Sequence, residues 1–264
     1  MATQHIFLKL GGSLLTEKTG YEALRPQTLA RLASEIAQAR AHEPGLSLVL
    51  GHGSGSFGHV AGAKHGTRAG VGGPEGWYGF AEVADAAARL NRHVVAALLS
   101  ADVPAIGLAP SASAQVADGI ITHLSTTPVE SALASGLVPV MFGDVAFDSI
   151  RGGTIVSTEE VMSYLAGKLP RNWFLLAGET DGVLDLNGQV IPLITRDTLH
   201  DVVPALGGSR GTDVTGGMAS KVMAMLDLID SQPGLKIRIF SGLQPGQLGR
   251  ILLDPNQSIG TLLQ

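Results

Sequence analysis

The sequence predicts an α/β fold: an open, mainly parallel sheet sandwiched by helices. Three observations lead there. Short, mainly apolar runs such as HIFLKL and LSLVL alternate with longer segments whose apolar residues recur at helical spacing. The apolar runs show no in-out alternation, as expected of strands covered on both faces. The 264 residues contain 45% hydrophobic and 16% charged residues, enough apolar material for a core and too little charge for a disordered chain.

HIFLKL (5–10) reads as a buried strand stopped by Gly11-Gly12, and RPQTLARLASEIAQAR (25–40) as a helix with Leu29, Leu32, Ile36 and Ala39 on one face. LSLVL (46–50) is a second strand. Residues 77–99 form a long helix, 104–108 a strand, and 114–124 a hairpin turning at Asp118-Gly119. A helix near 128–135 leads to the strand LVPVMF (137–142). Residues 157–169 open as a capped helix, with Ser157 followed by Glu160. WFLLA (173–177) is a strand and 178–217 a polar, Gly-rich stretch. The helix 219–230, strand KIRIF (236–240), a short helix near 245–253 and a strand near 259–263 complete the order. An N-terminal lobe (about 1–155) and a C-terminal lobe (about 156–264) within one domain are expected.

A net charge of −5 without a basic run argues against a nucleic-acid surface. Cysteine is absent, which removes disulfides, thiolate nucleophiles and thiolate metal sites and suits a reducing cytoplasm. The start MATQHIFLKL lacks the basic and apolar regions of a signal peptide, and no apolar run reaches the ~18 residues of a membrane span. A cytoplasmic protein is the expectation.

Residues 53–58, GSGSFG, spell the GxGxxG of dinucleotide folds. That reading also requires a single helix and a second strand ending in an acid about 20 residues on. Residues 66–76 are loop-like instead, and Glu75 lies among glycines. What remains is a run of small residues after a buried strand, suited either to a tight turn or to backbone N–H groups facing an anion. A second pair, Gly11-Gly12, ends the first strand, so a parallel sheet would bring both loops to one edge. Lys9 lies within that strand, Lys18 nine residues on, and Lys221 just after a third glycine pair. Three of the six lysines thus stand by glycine loops, which favours phosphate handling over lysines that merely reach solvent. His52 is expected to pack or hydrogen-bond beside the loop and His65 to close a helix before Gly66. No spacing suggests a protein-built zinc site.

The segments KLGGSLLTEK, GHGSGSFGHVAGAKHG, MFGDVAFD, ETDGV and DVTGGMASKV resemble the amino acid kinase superfamily and, within it, the isopentenyl phosphate kinases. The resemblance runs from residue 8 to about 222 and implies ATP as phosphoryl donor and isopentenyl phosphate as acceptor. It implies Mg²⁺ held mainly by ATP phosphates, and a homodimer. Lys9 would meet the ATP phosphates, Lys221 the nucleotide, and Lys18 would neutralise the group in flight. Gly11, Gly12 and Ser13 would line its path. Ser54 would donate its N–H to the acceptor phosphate, Gly55 to ATP, and His59 would bond the acceptor. Gly143 and Asp144 match a GD element, with Gly143 facing the substrate and Asp144 orienting the lysines. Thr180, Asp181, Gly182 and Gly216 would meet the nucleotide. Many members have three glycines before SFGH, where this chain places Ser54 at the centre; backbone donation survives that change. Trp77, Tyr78, Phe80 and Val83 either line a pocket for a hydrocarbon tail or pack as ordinary core. Rival readings are a fosfomycin kinase or other small-molecule kinase of the same fold, a nucleotide-binding regulator without catalysis, and a dehydrogenase.

Overall fold

A computed structural model describes residues 5–17, 20–206 and 217–264. Strand β1 (His5–Leu10) runs into a one-turn helix α1 (Gly12–Leu15), and helix α2 (Pro26–His42) follows. Strand β2 (Leu48–His52) leads into α3 (Gly55–His65), a 3₁₀ turn (Thr67–Ala69) and the 28-residue α4 (Gly73–Ser100). Then come β3 (Ala105–Gly107), a second 3₁₀ turn (Pro110–Ala112), the hairpin β4 (Gln115–Ala117) and β5 (Ile120–His123), α5 (Thr127–Ala134) and β6 (Val138–Phe142). A second hairpin, β7 (Asp144–Asp148) and β8 (Gly152–Val156), precedes α6 (Thr158–Ala166) and β9 (Arg171–Gly178). The chain continues through β10 (Leu193–Ile194), α7 (Leu199–Leu206), α8 (Gly217–Ser231), β11 (Lys236–Ser241), α9 (Gln247–Leu253) and β12 (Thr261–Leu263).

Eight strands form one sheet in the order β10-β12-β11-β9-β1-β2-β6-β3. Every neighbouring pair is parallel except β11–β12. Alternation along β1 divides the core in two. Ile6, Leu8 and Leu10 face α2, α4 and α9 through Leu32, Ile36, Val94, Leu98 and Ile251. Phe7 faces the other side, where Val161, Met162 and Leu165 of α6 and Val222 and Met225 of α8 pack. Period two therefore places Lys9 on the α6/α8 side, a placement the site depends on. In register, Leu10 stands beside His52 of β2 and Ala177 of β9, so the C-terminal ends of three strands meet at one edge.

The sequence reading leaves several elements unassigned. Helix α3 carries Gly55, Gly58 and Gly62, poor helix formers without an apolar stripe, and forms by packing against α4. Helix α7 and strand β10 lie in the polar stretch 178–217. The β7–β8 hairpin pairs with β4 and β5 in a second, four-stranded sheet, β5-β4-β7-β8. Glycines flank and begin these strands, and no local periodicity marks them. The capping box of α6 forms as expected: Ser157 Oγ accepts from Glu160 N (3.2 Å) and Glu160 Oε2 accepts from Ser157 N (2.5 Å).

The small sheet is tied together at its tip by Asp148. Its buried carboxylate accepts N–H bonds from Asp118 (3.0 Å), Gly119 (2.7 Å), Ile150 (2.8 Å) and Arg151 (2.9 Å), joining the turns of both hairpins. Burial alone would raise its pKa; the four donors outweigh that and hold it at about 2. Because the folded value lies below the ordinary 3.8, the stabilisation is present above that pH and is lost as pH falls toward 2. Asp148→Asn should cost about 2–3 kcal/mol near neutral pH in urea denaturation. The deficit should shrink at about pH 3; an equal deficit at both pH values would mean the charge is not what holds the turns.

Candidate active site

The two glycine loops touch backbone to backbone. Gly11 N donates to Ala177 O (2.8 Å) and Gly53 N to Leu10 O (2.9 Å), which pins both loops to the edge of the sheet. A Cβ on Gly12 would stand 2.4 Å from Gly55 N, and one on Gly53 2.7 Å from Gly12 N. Gly55 takes a φ of +49° with Thr16 against it, so a side chain there is excluded twice. Thr16 Oγ1 fastens the contact, accepting from Ser56 N (2.9 Å) and donating to Gly12 O (3.0 Å). The sequence expectation that 11–13 and 53–55 share one place is met. Ser13 and Ser54 are half-buried there.

Beside this contact stands a cluster of charges. Lys9 is 8% exposed and bonds Glu159 Oε1 in the first turn of α6. Lys221 Nζ, from α8, lies 3.6 Å from the same oxygen. Burial pushes the Glu159 carboxyl up, but Lys9 and Lys221 together outweigh it and hold the group at about 2. Burial pulls the Lys9 ammonium down from 10.5, and Glu159 opposes that shift. One carboxylate thus keeps two cations together at the edge where the glycine loops meet.

Glu159 is the residue the sequence reading missed. The acids at 159–160 look like a helix cap, and Glu160 does serve as one. The available signal was the surplus: a capping box needs a single acid, and buried lysines need a counter-charge. The reading gave that orienting role to Asp144, which the structure corrects. Asp144 is buried at the start of β7, accepting from Ser111 N (3.1 Å) and from its neighbour Val145 N (2.8 Å). Among the described residues it pairs with no lysine. Burial raises its pKa, against those donors. It sits on the small sheet, whereas Lys9 reaches toward α6.

The remaining expected residues fall into three groups. His59 lies on α3, exposed and without a hydrogen-bond partner among the described residues. Gly143 separates β6 from β7 against α6, where a Cβ would lie 3.2 Å from Thr158 N. Thr180 and Asp181 are exposed beyond the end of β9. Gly182 is packed, its Cβ position 2.7 Å from Thr261 Oγ1. Lys18 and Gly216 lie outside the described residues. His52 is structural as expected: buried, stacked on Phe142 at 5.6 Å, donating from Nδ1 to Gly53 O (3.2 Å) and accepting at Nε2 from Asn91 (3.1 Å). Burial depresses its pKa to about 4. His65 ends α3 and donates to Glu82 Oε2 (2.5 Å).

An apolar wall closes the space between α3, α4 and the small sheet. Phe80, Val83 and Val145 form its buried part, with Ala61, Val71 and Ile155 against it. Phe147 of β7 joins it, its ring 5.3 Å from Phe80 and 5.9 Å from Trp77. Phe147 was not anticipated, because its strand was not. Tyr78 does not join: it is 68% exposed, beside a hollow it shares with His65, Pro74 and Glu75. Consecutive helix positions diverge by about 100°, so Trp77 and Tyr78 cannot share a face. No group of three or more His, Cys, Asp or Glu side chains that could hold a metal occurs among the described residues. No helix among them is long and apolar enough to cross a membrane.

The chain is similar to known proteins over most of its length. Residues 4–241 match the model of the amino acid kinase family. An isopentenyl phosphate kinase of Haloferax volcanii is 40% identical, covering 84% of this chain and 88% of its own. One from Methanothermobacter thermautotrophicus is 34% identical over 94% and 95%. A solved structure titled as isopentenyl phosphate kinase superposes with a TM-score of 0.82 at 28% identity, covering 99% of this chain and all of that one.

Glu159→Gln leaves the buried Lys9 ammonium without its opposing charge. It should destabilise the chain by about 3 kcal/mol near neutral pH in urea denaturation. The carboxylate's folded pKa is depressed, so its contribution is complete above about 4.5 and lost as pH falls to about 2. The variant should lack that part of the acid transition; unchanged stability would mean the lysines find another partner.

Proposed function

The chain belongs to the amino acid kinase family and, within it, to the isopentenyl phosphate kinases, and from that premise we propose how its residues carry the reaction. The protein transfers the γ-phosphoryl group of ATP to isopentenyl phosphate, giving isopentenyl diphosphate and ADP. The observation that carries the assignment of roles is the Lys9–Glu159–Lys221 cluster beside the touching glycine loops, with exposed His59 and an apolar wall nearby.

An oxygen of the acceptor phosphate attacks Pγ as the bond from Pγ to the bridging oxygen of ADP breaks. The nucleophile needs no strong base, since a phosphate monoester with a second pKa of about 6 is already anionic near neutrality. The obstacle is repulsion between two anions, and positioning with opposing charge lowers it. Lys9 and Lys221 meet the ATP phosphates, and Lys18 meets the group in flight. Glu159 holds the first two lysines charged and in place before the phosphates take over their company. Gly11, Gly12 and Ser13 line the path, where only a surface of backbone lets two phosphates approach. The Ser54 N–H and His59 bind the acceptor phosphate, and the Gly55 N–H faces ATP. Gly143 lies on the substrate side. Thr180, Asp181, Gly182 and Gly216 meet the nucleotide. Asp144 supports the loop at Ser111 rather than the lysines.

Mg²⁺ would be held mainly by the ATP phosphates and would supply further neutralising charge beside Lys9 and Lys221. The acceptor belongs to the N-terminal lobe (about 1–155) and ATP to the C-terminal lobe (about 156–264). The working form is a cytoplasmic homodimer, in keeping with a cysteine-free chain and with the family. The tail lies against Phe80, Trp77 and Phe147.

Phosphorus NMR with Mg-ATP and each of isopentenyl phosphate, dimethylallyl phosphate, fosfomycin, N-acetylglutamate and UMP tests the reaction. A new diphosphate pair of doublets with isopentenyl phosphate, growing with ADP, is expected. Turnover with fosfomycin alone would keep the chemistry and discard the acceptor, and silence across the panel with ATP bound would indicate a regulator. His59→Ala should lower kcat by about 10²–10³; near-normal turnover would remove His59 from the mechanism. Phe80→Ala should raise kcat/KM for longer prenyl phosphates relative to isopentenyl phosphate, and no relative gain would make Phe80 core alone.

A further inference from the structure

Four consecutive residues at the start of α6 reach different parts of the site. Ser157 caps the helix, and Thr158 Oγ1 donates to His52 O at the end of β2 (2.7 Å). Glu159 holds the lysines. Glu160 goes elsewhere: besides closing the cap it receives the Arg68 guanidinium as a fork, Nη1 to Oε2 (2.9 Å) and Nη2 to Oε1 (2.6 Å). Arg68 Nη1 also donates to Ile155 O (2.5 Å), and Thr154 Oγ1 donates to Arg68 O (3.0 Å). Arg68 belongs to the 3₁₀ turn that joins α3, the helix of His59, to α4, the helix of Trp77 and Phe80. One guanidinium therefore links the acceptor-side helices to the turn that presents the lysines' counter-charge.

We propose that Arg68 is a positioning residue that couples acceptor binding to nucleotide binding. Seating a phosphate monoester against α3 fixes the turn at Thr67–Ala69. The Arg68–Glu160 fork passes that constraint to the first turn of α6, and so to the place Glu159 takes between Lys9 and Lys221. The inference rests on the acceptor and nucleotide assignments above. Stability does not explain the fork: the Arg68 side chain is 51% exposed, and ion pairs at that exposure add little. A planar fork with a third contact to a backbone carbonyl contributes geometry instead. The turn also carries a cost in the arrangement it adopts. Gly66 and Gly70 on its flanks take φ of +63° and +141°, and the Thr67 hydroxyl is buried with no partner among the described residues. That unmet bond is a cost another arrangement would relieve. Differential contacts in two arrangements are what coupling requires, and the effect must be reciprocal.

Calorimetric titration of the full chain with isopentenyl phosphate and a non-hydrolysable Mg-ATP analogue, each with and without the other, tests this. In the unaltered protein each ligand should tighten the other by the same factor, on the order of 5- to 10-fold. Arg68→Ala should bring that factor to within about twofold of unity while nucleotide affinity without acceptor and Tm barely move. Arg68→Lys keeps the charge and loses the fork, so it should also lose most of the coupling. An unchanged factor in both variants would overturn the proposal. So would a uniform loss of both affinities with a lowered Tm, which is the mark of a plain strut. If the unaltered protein fails to bind isopentenyl phosphate, the acceptor assignment falls and takes the inference with it. If it turns the substrate over without coupling, the inference alone fails.

Discussion

A carboxylate shared by two ammonium groups is the constraint around which the site is arranged. A lysine in an interior strand carries a desolvation cost that only an opposing charge offsets. Lys9 meets that cost through Glu159, and Lys221 shares the same oxygen. The arrangement requires β1, α6 and α8 to meet on one side of the sheet, with Lys9 in phase with Phe7 rather than with Leu8. A slip of β1 by one residue would turn Lys9 toward α2 and α4, into an apolar layer without a partner. Sheet register and site electrostatics are therefore one requirement.

The second constraint is steric. Gly12, Gly53 and Gly55 bring two loops close enough that no Cβ fits between them. Parallel pairing of β1 with β2 aligns Leu10 with His52, so the loops leave the sheet side by side. The result is a surface made of backbone at the edge of the sheet, with the lysine cluster beside it.

The four-stranded sheet completes the other side. Asp148 joins its two hairpin turns, Phe147 extends its apolar face toward Phe80 and Trp77, and Arg151 O accepts from Val71 N in the segment that leads to α4 (2.9 Å). The apolar wall is thus assembled from α3, α4 and a sheet separate from the one that carries Lys9. Polar and apolar halves of the site are built on different frameworks, and α6, which follows β8 directly, stands between them.

By itself the sequence determined the parallel α/β class, the positions of most buried strands, the amphipathic helices, the capping box of α6 and the convergence of the two glycine loops. Each of these is written in local periodicity or in the residue types that a turn permits. It also singled out Lys9 and Lys221, because a lysine in an apolar strand or beside a glycine pair asks for a partner, while His59 was singled out by the family resemblance. Only tertiary structure decided that Glu159, not Asp144, holds the lysines, since both are acids beside strand or helix ends and only packing tells which one the lysines reach. It alone decided that Phe147 joins the apolar wall while Tyr78 leaves it. It alone showed α3 and the β7–β8 hairpin, whose glycines erase periodicity and whose stability comes from neighbours distant in the chain.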